Sequence, residues 1–153
     1  MATTVEDIKT TYPIPAFHYI VDIDGMDPIA FSEVSGLNIE VKPITYRDGL
    51  SVVQGSKHMP GLAEPAKITL KRGIVQKGSQ LYDWLNSIRI TTVEKKNITA
   101  SLMDEKGESP VVSWKIKNAF PLKIDASSMD ATKNEVAVET LELMADEVKI
   151  EYN

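Results

Sequence analysis

Along this chain apolar residues recur at helical spacing in one segment and at every second position almost everywhere else. Leu81, Trp84, Leu85 and Ile88 stand at i, i+3, i+4 and i+7, which predicts an amphipathic helix over 79–89 with Ser79 as its cap. The other segments read as strands. Phe17, Tyr19, Val21 and Ile23 alternate with His18, Ile20, Asp22 and Asp24 up to the turn dipeptide Asp24-Gly25. Leu37, Ile39 and Val41 alternate as well, and Pro43 then shifts the apolar register to Ile44 and Tyr46, which predicts a bulge, a bend or an edge strand. Ile68, Leu70 and Ile74 mark a further strand. Ile98, Ala100 and Leu102 pass through the polar turn 104–108 to Val112, Trp114 and Ile116, a hairpin with a longer loop. Phe120-Pro121 is expected to end that strand, with a short extended piece following to Asp125. From Glu135 to Tyr152 helix competes with strand; the β-branched residues favour strand, with a bulge near Glu139 resetting the register.

Two stretches escape this periodicity. Residues 1–15 are polar and end in Pro13 and Pro15, which predicts an extended N-terminal arm. Residues 49–65 mix Gly55, Pro60, Gly61 and Pro65 with Leu50, Val52, Val53, Met59 and Leu62. A structureless loop of that length is uncommon in a compact domain and is usually functional, and its apolar side chains do not suit a solvated linker. It reads either as a loop folded onto its own core or as a partner-binding loop.

Composition narrows the possibilities. With 153 residues, 42% of them apolar and 25% charged, the chain suits one globular domain over 1–153. The formal net charge of −5 disfavours a clamp on phosphate backbones. Cysteine is absent, which removes disulfides, thiolate metal sites and thiol nucleophiles. No stretch approaches the roughly 20 apolar residues of a membrane-spanning helix, and the N-terminal residues lack the pattern of a secretory signal, so synthesis in the cytoplasm is expected.

Catalytic chemistry has no candidates. His18 and His58 stand apart from any second histidine or acidic cluster at ligand spacing, no G-x-S-x-G elbow occurs, and the glycines match no phosphate loop. Neither an enzyme, a cofactor nor a metal is therefore expected. Leu81, Trp84, Leu85, Ile88, Trp114 and Phe120 are assigned as core anchors.

Several segments in order carry a resemblance: Phe17-His18-Tyr19-Ile20-Val21; Phe31-Ser32-Glu33-Val34-Ser35-Gly36-Leu37; Ile68 to Gly73 leading to Leu81-Tyr82-Asp83-Trp84-Leu85; Trp114 to Pro121; and Asn134 to Leu141. Over most of its length the chain resembles the tail-tube family of contractile phages and phage-derived injection systems, similar in architecture to the haemolysin-coregulated tube protein of type VI secretion. The resemblance implies a mainly β fold, a barrel or sandwich of two packed antiparallel sheets with one flanking helix. It also implies a structural, non-enzymatic subunit whose homohexameric rings stack into a hollow inner tube within an injection particle or phage tail. The partners it implies are other copies of the chain, a surrounding sheath protein, baseplate or spike and tube-terminator proteins, and cargo protein or DNA in a bore expected to be polar and acidic. In that frame residues 49–65 become the inter-ring loop, with Leu50, Val52, Val53, His58, Met59 and Leu62 as contacts. The alternatives are a tube-initiating paralogue beside the spike and, from another class, a monomeric β-barrel that binds a small molecule or peptide.

Overall fold

A computed structural model describes residues 13–50, 55–76, 80–88 and 92–153. Nine strands and one helix follow in the order β1 (Tyr19–Ile23), β2 (Glu33–Ser35), β3 (Val41–Tyr46), β4 (Lys57–Ala63), β5 (Ala66–Gly73), α1 (Gln80–Asn86), β6 (Lys96–Met103), β7 (Pro110–Ala126), β8 (Val138–Ala145) and β9 (Glu147–Tyr152) among the described residues. All strand pairs are antiparallel. One set of strands runs β1-β6-β7-β9 and a second runs β2-β5-β8-β7, and these two sheets pack as a sandwich; β3 and β4 form a third, two-stranded sheet.

The seventeen-residue β7 belongs to both main sheets. Its first half pairs with β6 and β9, and its second half pairs with β8. The change of sheet falls at Asn118, whose φ of 54° is the left-handed conformation that asparagine tolerates better than most residues. Its backbone N–H donates to Asn97 Oδ1 at 3.2 Å, and the pairing with β6 is shifted at this point. The facing chain bends alongside, because only Asp146 separates β8 from β9, and the Asp146 N–H donates to the Lys117 carbonyl at 3.1 Å. Both strands therefore change parity together: Ile116 and Ala119 point inward on β7, as Val148 and Ala145 do on the β8–β9 side.

This geometry corrects four expectations. Pro121 does not end the strand; it is buried within β7 beside a shift in pairing to β8, and β7 continues to Ala126. A bulge tolerates a residue without an N–H, which is why proline fits there. The register of the last segment resets at Asp146 rather than near Glu139, and its first strand begins at Val138 while Val136 stays exposed. Residues 49–65 are not structureless throughout, since 57–63 form β4. The helix is shorter than expected at Gln80–Asn86; Ser79 and Arg89 lie outside the described residues.

The core lies between the sheets. Val21, Ile23, Ile68, Leu70, Ile98, Ile116, Leu141 and Leu143 are buried there, joined by Leu81 and Trp84 from the helix. The Trp84 indole N–H donates to the Glu94 carbonyl at 2.8 Å, which satisfies the one polar group that its burial would otherwise strand. Leu85, Ile88, Trp114 and Phe120 are half-buried, so they support the core from its margin. Phe120 also lies beneath the Lys95 ammonium, 5.7 Å from the ring centre. Inside the second sheet Arg72 pairs with Glu139, both side chains being largely withdrawn from water. A buried ion pair of this kind adds little net stability but strongly penalises loss of either partner.

Gly36 fixes how β2 leaves the sheet. Its φ is +83°, and a Cβ built there would stand 2.1 Å from the Lys67 carbonyl oxygen. Both backbone conformation and space exclude a side chain. The Gly36→Ala variant should lose about 3 kcal/mol of stability or fail to accumulate, measured by urea unfolding of the isolated subunit followed by circular dichroism.

Candidate inter-subunit surface

The β3–β4 hairpin stands outside the economy of the sandwich. Its strands are paired with each other in a sheet of their own, and of its thirteen strand residues only Gly61 is even half-buried. Antiparallel alternation sorts these side chains. Ile44 faces Met59 and Tyr46 faces Lys57, whereas Thr45 faces His58 and Pro43 faces Pro60. The pairing then shifts between Val41 and Pro43, where Gly61 and Leu62 together oppose Lys42, so Pro43 sits beside a bulge as its missing N–H requires. A Cβ on Gly61 would come within 2.4 Å of the Lys42 carbonyl oxygen and 2.9 Å of the Ile44 side chain, so the bulge depends on glycine.

One hairpin face thus presents Ile44, Tyr46, Met59 and Leu62 flanked by Lys42 and Lys57. Ile44, Tyr46 and Met59 are about half exposed, and Leu62 is 86% exposed. Thr45 Oγ1 and His58 Nδ1 lie 3.3 Å apart on the other face. Leu50 at the tip is 91% exposed. Of the expected contact residues, the structure brings Met59 and Leu62 together on the apolar face, turns His58 away from it and leaves Leu50 at the tip; Val52 and Val53 lie outside the described residues. Ile44 and Tyr46 share this face but were not among the expected contacts, although the alternation after Pro43 carried that signal.

A two-stranded hairpin is marginal alone in water, and an exposed apolar face of this kind marks a surface that another molecule covers. Two further surfaces are incomplete. β1 and β9 are the outer strands of one sheet, each with an edge unpaired among the described residues; they run antiparallel to each other because β1, β6, β7 and β9 alternate in direction. Such edges invite another strand.

The outward faces of both sheets are charged but balanced. On the first, Asp22, Glu147 and Glu151 stand among Lys115, Lys117 and Lys149, with Lys115–Glu151 at 3.0 Å and Lys149–Glu147 at 3.7 Å. On the second, Glu33, Asp125 and Glu142 stand among Lys67, Lys71 and Lys123, with Lys71–Glu33 at 3.2 Å and Lys123–Asp125 at 2.8 Å. The hydrogen bond to Asp125, helped by its charge, holds the Lys123 ammonium above the usual lysine range. These exposed pairs stabilise the fold little, but they leave neither face with a strong field of one sign.

An interior ligand site is not supported by the space available. The cavity between the sheets, lined by Tyr19, Val34, Leu37, Ala100 and Trp114, measures about 150 Å³, below the roughly 300 Å³ at which ligand pockets begin. The Tyr19 phenol on its wall donates to the Phe31 carbonyl at 2.7 Å, and burial followed by the Glu33 carboxylate pushes its ionisation upward. No cluster of three or more metal-ligating side chains occurs among the described residues.

Comparisons with known proteins agree on one kind of molecule. Residues 15–149 match the family model of the T4-like virus tail tube protein gp19. A chain in the sheath-tube complex of an extracellular contractile injection system, PVC, in its extended state is 39% identical; the match covers 99% of this chain and 100% of that one, with a TM-score of 0.90. A chain in the tube-terminating cap of the anti-feeding prophage is 41% identical over the full length of both, with a TM-score of 0.86. Hcp1 from Flavobacterium johnsoniae, 14% identical over 90% of this chain and 97% of its own with a TM-score of 0.54, shares the fold. No curated protein sequence matches.

In the dissociated subunit the β3–β4 amides should exchange with deuterium orders of magnitude faster than those of β5–β8, and assembly should slow them, as read by hydrogen-exchange mass spectrometry.

Proposed function

Because the chain belongs to the tail tube protein family of T4-like virus gp19, we propose that six copies close into a ring and that rings stack into the inner tube of a contractile injection particle. The subunit is structural, and its work is to complete its neighbours. The observation that carries this reading is an apolar hairpin face left exposed among the described residues, together with two edges of one sheet that no described strand pairs.

Ring closure uses those edges. Rotating a copy about an axis roughly along the strands brings its β1 beside β9 of the previous copy in the antiparallel sense, so the four-stranded sheets join into one barrel without edges. Asp22 on one border and Lys149 on the other share the outward face of that sheet. That face then lines the bore. A lining of paired lysines and carboxylates presents no field that would hold a polyanion or a folded protein, which suits passage of cargo. The resemblance implies a polar, acidic bore; on this reading the lining is polar, with its carboxylates Glu147 and Glu151 paired to lysines. The hairpin joins ring to ring, and the second sheet with its helix is left toward the surrounding sheath, while baseplate and terminator proteins close the ends. A place in the repeating tube is favoured over an initiator by the match along the full length of a sheath-tube chain.

Two outcomes follow. Met59→Asp places a charge on the exposed hairpin face, so the subunit should fold with an unchanged far-ultraviolet spectrum while tubes seen by negative-stain electron microscopy shorten at least about tenfold or stop at single rings. Tubes of ordinary length would remove the hairpin from ring stacking. In this cysteine-free chain, the double variant Asp22→Cys with Lys149→Cys should oxidise to a covalent ladder that ends at a closed ring, read on non-reducing gels. Absence of a ladder from intact rings would place ring closure on other strands.

A further inference from the structure

Stacking by the hairpin requires a surface to receive it, and the fold puts a matching one at the far end of the same sheet. The hairpin leaves the body where β5 begins, at Ala66, with the Glu64 N–H bonded to the Glu40 carbonyl at 2.9 Å across its foot. The eight residues of β5 then span about 25 Å to Gly73. There the Ile74 N–H donates to the Ala137 carbonyl at 2.9 Å, the Ser127 N–H donates to the Val138 carbonyl at 2.8 Å, and Val136 lies over Gly73. Ile74, Val75, Met129 and Val136 are exposed at this end, by 43%, 59%, 87% and 74%. The two loops thus meet at Ile74 and Val136, and each also carries a further exposed apolar side chain, Val75 on one and Met129 on the other.

Charge distinguishes the two ends. Beyond its foot, where Glu40 and Glu64 stand, the hairpin carries Lys42, Arg47 and Lys57 against Asp48, so its strands and tip are cationic within a chain of net charge −5. The opposite loop carries Asp130 and Glu135 against Lys133, a surplus of one carboxylate. The hydroxyl and backbone N–H of Thr132 hold the Asp130 carboxyl below the usual carboxylate range.

We infer that the apolar hairpin face of one copy seats on the Ile74, Val75, Met129 and Val136 patch of a copy in the adjacent ring, with Lys42 and Lys57 set against Asp130 and Glu135. This rests on the stacking role proposed above and names the surface that accepts it. Because donor and acceptor sit at opposite ends of the sheet, the contact is head-to-tail and heterologous: it cannot satisfy itself within a pair, and it repeats without limit along an axis. The like-charged ends oppose the inverted, hairpin-to-hairpin arrangement, so the same feature gives the stack its polarity.

The test mixes two single-cysteine proteins, Leu62→Cys and Val136→Cys, and oxidises them during assembly. Since each chain carries one cysteine, a mixed disulfide dimer reports a contact between copies. The expected result is that dimer on non-reducing gels from assembled tubes, and none when Val136→Cys is replaced by Lys115→Cys on the opposite sheet. In parallel, the double variant Asp130→Lys with Glu135→Lys should shorten tubes at least about tenfold, and combining it with Lys42→Glu and Lys57→Glu should restore them. Full-length tubes without the mixed dimer, or a charge reversal without effect, would overturn the receiving surface while Met59→Asp still stopped growth and kept the hairpin's role. Normal tubes from Met59→Asp would overturn both.

Discussion

Everything in this molecule hangs on one antiparallel ladder, the seventeen-residue β7 against β8 and β9. Because both partners bend together at Asn118 and Asp146, one continuous set of backbone hydrogen bonds passes from one sheet to the other. The sandwich therefore does not rely on side-chain packing alone to hold its layers together. A subunit that carries axial load gains from this, since shearing the two sheets apart would require breaking the ladder itself.

The same ladder decides what is left over. With β7 and β8 placed centrally and β9 and β1 at the borders of one sheet, two edges of that sheet stay unpaired among the described residues and run in opposite directions. The second sheet passes its unspent chain into the hairpin, which finds no place on the core. These are not defects of packing. Each is a polar or apolar surface that costs free energy while exposed and would regain it in the assembly proposed above, where several modest contacts per subunit would act together.

Charge is used in the same economical way. The chain is acidic overall, yet on both sheet faces its carboxylates are interleaved with lysines across neighbouring strands. The alternation follows from period two: a strand of Lys-x-Lys beside one of Glu-x-Lys-x-Glu brings opposite signs together once the register is set. The net surplus of acid is pushed elsewhere, including the loop at the Gly73 end of β5.

The sequence by itself determined the class of fold, the presence of one helix around Leu81 and Trp84 though not its end at Asn86, and the inward residues of β1, β5 and β6, since each rests on local periodicity. Leu81 and Trp84 announce their burial by helical spacing, as Ile68 and Leu70 do by alternation. The resemblance of ordered segments added the family. What only the tertiary structure decided is where parity changes and which strands meet. Pro121 reads as a terminator in isolation, but a bulge supplied by the neighbouring strand makes its missing N–H harmless. The step at Asp146 is invisible locally because it answers the bend at Asn118, some thirty residues away. Residues 57–63 look irregular because prolines and glycines break their pattern, and they become a strand only when β3 arrives beside them. Pairing across a sheet is a long-range choice, made by the ladder as a whole and not by any one segment of it.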